Sequence, residues 1–182
     1  DEFHARDITT FLVSNGTAPE MLSRCDPTQL YLSVDAAERH TFDTVVKAVE
    51  DDAWERLVDT MDVLAEKDET RTVLRTTLVN GENMRDPDWY AAFYRRAKPD
   101  FVELKAYMHV GHSRGRLDRS AMPDHEDVLA FAEDVAEHMP EHDELKDVPS
   151  SRVALLARDA DTWVPKLNKD SEFWADDPLV GY

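Results

Sequence analysis

Lys105 is the residue whose type and setting best suit covalent chemistry. In Asp100 to Leu117, DFVELKAYMHVGHSRGRL, the residues Val102, Leu104, Ala106 and Met108 alternate with Glu103, Lys105, Tyr107 and His109. A period of two sorts the first set to one face of a strand and the second to the other. An amine desolvated between such apolar rows is able to attack a carbonyl carbon. Two blander roles compete with that one: a buried ion pair with Glu103 or Asp35, and non-covalent holding of a carboxylate. Tyr107 and His109, on the face of Lys105, shape a pocket or simply fill space. Beyond Gly111 the residues His112, Arg114, Arg116 and Arg119 form a dense cationic patch, and guanidinium forks match phosphate oxygens well. Ion pairing with surrounding carboxylates is the alternative, above all for Arg119. Asp124, His125, Glu126 and Asp127 resemble a metal cluster only superficially, since capping of a helix explains them better; no metal ligands are assigned.

The elements that must position these groups are legible from spacing. Thr9 to Ser14 reads as a strand closing in Asn15-Gly16-Thr17. Gln29 to Asp35 reads as a second, with Leu30, Leu32 and Val34 turned to helices and Tyr31, Ser33 and Asp35 turned inward. Arg71 to Val79 is a third, with Val73, Arg75, Thr77 and Val79 inward and the Asn80-Gly81 turn after it. Between the second and third strands, Phe42, Val45, Val46 and Val49 make one helical stripe, and Trp54, Leu57, Val58, Met61 and Leu64 a second. Asp88 is expected to cap a helix carrying Trp89, Phe93, Tyr94 and Ala97. Met122-Pro123-Asp124 introduces another with Val128, Ala132 and Val135, ended by Pro140. A last short strand, Arg152 to Arg158, follows a polar loop. The residues through Tyr182, with Trp163, Phe173 and Trp174, read as an extension lying on the body.

Strands alternating with helices predict a parallel α/β arrangement with right-handed crossovers. A strand of a parallel barrel has helices outside and its other face toward the lumen, and reactive groups gather at the carboxyl ends of such strands. Asn15, Ser33, Asp35, Arg75 and Thr77 all fall at or near those ends. The 182 residues suffice for one core but fall short of the roughly 250 of a full barrel. Two architectures remain: an open doubly wound sheet, or the later part of a barrel. The abrupt start at Asp1 favours the second.

Net charge is −18 and the pI near 4.6, while 42% of residues are apolar. That combination, rich in Asp and poor in Lys, suggests a folded protein adapted to high salt rather than a disordered one. At about 1 M salt the Debye length is near 3 Å, so the charge does not exclude an RNA partner. Cys25 is the one cysteine, which precludes an internal disulfide and makes a cytoplasmic setting the default. No apolar run approaches the roughly 18 residues of a membrane span.

Taken together, FLVSNGT at Phe11 to Thr17, QLYLSVDA at Gln29 to Ala36, DAWERL at Asp52 to Leu57, RTVLRTTLVNGEN at Arg71 to Asn83 and PDFVELKAYMHVGHSRGRL at Pro99 to Leu117 resemble the tRNA 4-demethylwyosine synthases, radical S-adenosylmethionine enzymes of wyosine biosynthesis. MPDHEDVLAFA from Met122 and SSRVALLARD from Ser151 resemble the wyosine-base-formation region of that family. The resemblance implies a (β/α)6-type partial barrel over residues 1–119, a wyosine-base-formation region over 120–160 and a carboxyl-terminal extension over 161–182. It implies a full-length, monomeric, cytoplasmic enzyme, of haloarchaeal type, that condenses pyruvate carbons with N1-methylguanosine in tRNA(Phe). It also implies S-adenosylmethionine and a four-iron, four-sulfur cluster as cofactors. By this resemblance Asn15, Ser33, Asp35, Arg75 and Thr77 contact S-adenosylmethionine, Arg75 pairing with its carboxylate. Lys105 is the candidate for pyruvate, and Tyr107, His112, Arg114 and Arg116 for substrate and tRNA.

The cluster requires three thiolates from one Cys-x-x-x-Cys-x-x-Cys loop, and this chain has Cys25 alone. The expectation is therefore a fragment, inactive by itself, whose cluster is held by sequence ahead of Asp1. Two other functions remain open at this point. One is a cofactor-free pyruvate lyase or aldolase using Lys105 in an iminium; the other is a non-catalytic RNA-binding module.

Overall fold

Apolar residues at alternate positions of three consecutive strands, and at helical spacing between them, can be buried together only if all the helices lie on one side of the sheet. A computed structural model, which describes residues 2–158, has this layering. Strands β1 (Phe11–Ser14), β2 (Gln29–Ser33), β3 (Arg71–Leu78) and β4 (Phe101–Ala106) run parallel and adjacent in chain order. They are linked by helices α1 (Pro19–Leu22), α2 (Arg39–Val45), α3 (Ala53–Ala65) and α4 (Pro87–Ala97). Helix α5 (His125–Glu137) then leads to β5 (Glu144–Val148) and β6 (Val153–Ala157). The six-stranded sheet has the order β1-β2-β3-β4-β6-β5.

One core joins the outward rows Leu30, Leu32, Val34, Leu74, Leu78, Val102 and Leu104 to Leu57, Met61 and Leu64 of α3, Tyr90 and Tyr94 of α4, and Val128 and Val135 of α5. The helices thus cover a single face, as in the wall of a barrel. A doubly wound sheet would carry helices on both faces. The architecture is α/β, with the strand–helix units expected of the later part of a barrel.

The structure corrects several expectations. The last strand is antiparallel to β4, and the polar loop before it contains β5, which pairs antiparallel with β6. The stripe through Val45, Val46 and Val49 does not form: the chain leaves the helix and takes a positive φ of 51° at Lys47, and Val49 is 93% exposed. Asp86, not Asp88, is the N-cap residue of α4, with Pro87 in the first turn, where its missing N–H is no loss. Tyr90, Ala91, Tyr94 and Ala97 face the core, while Trp89 is exposed. Helix α5 stops at Glu137, before Pro140. Its start holds to expectation: Asp124 and Asp127 form a reciprocal capping box. The expected extension over 161–182, with Trp163, Phe173 and Trp174, lies outside the described residues.

Gly16 locks the β1–α1 turn onto α3. Its φ is +77°, a Cβ there would stand 2.7 Å from Leu57 Cδ1, and Thr60 Oγ1 donates a 2.7 Å hydrogen bond to its carbonyl. Gly16→Ala must strain the backbone and displace a buried leucine at once, which is expected to lower unfolding free energy by about 1–3 kcal/mol. Urea denaturation checks this; an unchanged midpoint contradicts it.

Candidate functional site

On the helix-free face, strand register stacks the side chains of β2, β3, β4 and β6 in tiers. The first tier, Tyr31, Val73, Phe101 and Ala157, joins Leu155 in a second apolar cluster, and the Phe11 ring lies 5.0 Å from that of Tyr31. This is a dry floor.

The second tier is ionic. Ser33, Arg75 and Glu103 are register neighbours. Arg75 Nε donates to Glu103 Oε1 at 2.7 Å and Arg75 Nη2 to Oε2 at 3.4 Å, and the guanidinium lies 4.4 Å from the Tyr31 ring centroid. Glu103 is almost wholly buried, at 2% side-chain exposure against 31% for Arg75. A carboxylate there is tolerable only because the fork meets both of its oxygens. Arg75, expected to pair with a cofactor carboxylate, has its Nε and Nη2 on Glu103 in this structure.

The third tier lies at the carboxyl ends. Thr77 and Lys105 are register partners, and Asp35, two residues past Ser33, accepts the Thr77 backbone N–H at 2.7 Å on Oδ1. Burial pushes the Asp35 carboxyl above its ordinary range, against the opposing pull of the Thr77 hydrogen bonds and the Arg75 charge. Of the two ion-pair partners considered for Lys105, Glu103 is held by Arg75, while Asp35 has its Oδ1 on the Thr77 backbone N–H. Lys105 is half-buried, and its Nζ makes no hydrogen bond or ion pair among the described residues. Ser33 is likewise half-buried with no side-chain hydrogen bond among them. Asn15 stands apart: its Oδ1 accepts from the Thr17 N–H at 3.2 Å and the Thr17 hydroxyl at 2.9 Å, closing the loop after β1.

Above these tiers Val79, Tyr107 and Ala121 form a third apolar cluster, flanked by Leu117 and Met122, that ties the loop after β4 to the end of β3. Tyr107 donates its hydroxyl hydrogen to Ser113 Oγ at 2.9 Å, and Ser113 Oγ donates to the Val110 carbonyl. Tyr107 therefore anchors the loop rather than lining open space. A 3-10 turn over Gly111–Gly115 carries His112 and Arg114 outward, and Arg116 and Arg119 follow, all exposed. Arg114 Nε donates to the His109 carbonyl at 3.2 Å. Among the described residues none of Arg114, Arg116 and Arg119 joins an ion pair, whereas Arg39, Arg56, Arg95 and Arg96 each do. In a chain of charge −18, these exposed arginines stand without a carboxylate partner among the described residues.

The amino-acid sequence did not single out Glu103 as the partner of Arg75, nor Asn83, which is fully buried. His125 faces away from this site: its Nε2 lies 2.7 Å from Asp147 Oδ2 on the helix side of the sheet.

Residues 96–158 match the wyosine base formation family. The S-adenosyl-L-methionine-dependent tRNA 4-demethylwyosine synthase of Pyrococcus abyssi is 44% identical over 164 residues, 87% of this chain and 48% of that protein. That of Methanocaldococcus jannaschii is 38% identical over 165 residues, 91% of this chain and 51% of that protein. A solved structure of TYW1 with a lysine-pyruvate adduct bound superposes with a TM-score of 0.75 at 37% identity, covering 86% of this chain and 49% of that one. The chain belongs to the tRNA 4-demethylwyosine synthase family.

It spans about half the length of the relatives it matches. In this member of the tRNA 4-demethylwyosine synthase family, the wyosine base formation match starts at the end of α4 and runs through β4, α5, β5 and β6. It includes Glu103, Lys105 and the arginine loop. Asp35, Arg75 and Thr77 precede it, so the tiers are assembled from both parts of the chain by the β2–β3–β4 pairing.

Proposed function

We propose that this chain supplies the substrate wall and the RNA-docking loop of an enzyme that condenses pyruvate carbons with N1-methylguanosine in tRNA(Phe). The observation that carries the reading is Lys105: an amine on the helix-free face, at the carboxyl end of β4, in no ion pair among the described residues and with its neighbour Glu103 held by Arg75. A lysine–pyruvate adduct in a structural relative supports the same chemistry. The step is balanced without an external reagent. The amine of Lys105 attacks the C2 keto carbon, the carbinolamine loses water, and an iminium links Nζ to pyruvate. Thr77 and Asp35 form the polar rim beside it, and the Arg75–Glu103 pair closes the site below. Arg75 keeps about a third of its side chain exposed, so the tier presents positive charge to a substrate carboxylate as well.

The residues present do not fit an iron–sulfur cluster, because Cys25 alone cannot supply three thiolates; in this reading those ligands come from sequence beyond these 182 residues. The strand ends offer groups suited to S-adenosylmethionine: Asp35 in the third tier and Ser33 in the second present acceptors to its amino and hydroxyl groups, with Thr77 adjacent, while Asn15, closed on Thr17, lies farther out. When bound and reduced, that cofactor supplies a 5'-deoxyadenosyl radical. In this reading the full-length enzyme is a monomer in the cytoplasm of a high-salt archaeon, and the net charge of −18 supports the high salt alone.

Arg114, Arg116 and Arg119, with His112, dock tRNA phosphates in this scheme. Replacing each arginine by alanine in the full-length protein is expected to lower the slope of log Kd against log salt by about one. The triple variant should bind tRNA at least about tenfold more weakly at 0.2 M salt. Filter binding across a salt series tests this. An unchanged slope removes the loop from the interface.

A further inference from the structure

Asn83 lies outside every role assigned so far, yet it is fully buried and its amide is used from both ends. Its Nδ2 donates to the Asp35 carbonyl at 2.9 Å and to the Thr77 carbonyl at 2.8 Å. Its Oδ1 accepts the Val79 N–H at 2.7 Å. Three backbone segments therefore meet on one side chain: the exit of β2, the end of β3, and the turn that follows it. Only an amide offers two donors and an acceptor in one plane at this length. The two carbonyls it holds belong to the residues joined by the Asp35 Oδ1 bond to the Thr77 N–H. The Tyr90 hydroxyl also reaches the Asp35 carbonyl, at 3.4 Å.

We propose that Asn83 is a positioning residue for the site, holding the Asp35 and Thr77 backbones so that the Asp35 carboxylate stays seated on the Thr77 N–H beside Lys105. The inference rests on the reading of the third tier as the cofactor and pyruvate site. Asn83 touches neither ligand and acts through Asp35. Without it the Thr77 carbonyl and the buried Val79 N–H lose their Asn83 partner, the Asp35 carbonyl keeps only the Tyr90 hydroxyl at 3.4 Å, and the β2 exit separates from the end of β3.

The test is a double-mutant cycle in the full-length protein, read on S-adenosylmethionine Kd and on amide hydrogen exchange. Asn83→Ala and Asp35→Asn are each expected to weaken cofactor binding by about tenfold, and the double variant by no more than about twofold beyond Asp35→Asn alone. The Thr77 amide should exchange at least about tenfold faster in Asn83→Ala, while that of Leu74, in the middle of β3, stays within about twofold of wild type. Asn83→Ser, whose hydroxyl keeps one donor, should fall between, and it carries the cycle if the alanine variant does not fold. Additive losses, near a hundredfold in the double variant, overturn the proposal, as does a Thr77 amide that exchanges at the wild-type rate. If Asp35→Asn binds the cofactor as wild type does, it is the assignment of Asp35 that fails, and the Thr77 exchange rate alone then decides whether Asn83 positions this tier.

Discussion

Lys105→Met in the full-length protein is expected to abolish borohydride-dependent fixation of pyruvate and to lower 4-demethylwyosine formation by at least about a thousandfold. The size of the loss follows from the chemistry. Removing the amine removes the iminium altogether, whereas trimming a neighbour only weakens its binding or orientation. Methionine keeps the length and apolar stem of lysine, so the β4–β6 pairing at Val153 and the packing of β4 should persist. Lys105→Arg keeps the charge but not a nucleophilic amine, and it should fail equally. If Lys105 merely held a carboxylate, the arginine variant would retain much of the activity and its loss would appear in KM for pyruvate. The two variants thus separate covalent from electrostatic use of one position.

The largest effect on stability should come from Glu103→Ala. Glu103 is the most deeply buried ionisable partner of the site, and its removal leaves the Arg75 guanidinium over the Tyr31 ring without its counter-charge. Breaking a buried pair from one side costs about 3–5 kcal/mol. Because Arg75 retains 31% side-chain exposure and can draw water, about 2–4 kcal/mol is the appropriate range here. Glu103→Gln preserves the volume and one acceptor and should lose roughly half as much. Chemical denaturation at fixed salt measures both. A Glu103→Ala protein as stable as wild type would mean that the pair contributes nothing net, and that the second tier is not held together as described.

The two-residue alternation of β2, β3 and β4 made much of this site readable in advance, because one face must be apolar where helices cover it. Tyr31, Ser33, Arg75, Thr77, Glu103 and Lys105 sort correctly to the other face on that ground alone. Partnership was not readable. Whether Glu103 meets Arg75 or Lys105 depends on a register set between β3 and β4, whose paired residues lie 28 apart in sequence, and no local pattern encodes that offset. Strand β5 was missed because Glu144, Lys146 and Asp147 give it the charged, half-exposed character of an edge strand. The over-long stripe at Val45 to Val49 has the opposite cause: valines at helical spacing suggest a buried face, but the helix unwinds at Lys47 before Val49 can join it. Asn83 stood in the sequence only as the last residue of RTVLRTTLVNGEN, since its role exists only once β2 and β3 are side by side.

Peptide mapping of the full-length protein after borohydride reduction in the presence of pyruvate tests the central claim most directly. A reduced pyruvate adduct on the Nζ of Lys105 is the predicted result. An adduct formed on a different lysine, with Lys105 unmodified, would contradict the account and leave this wall of the sheet as scaffold only.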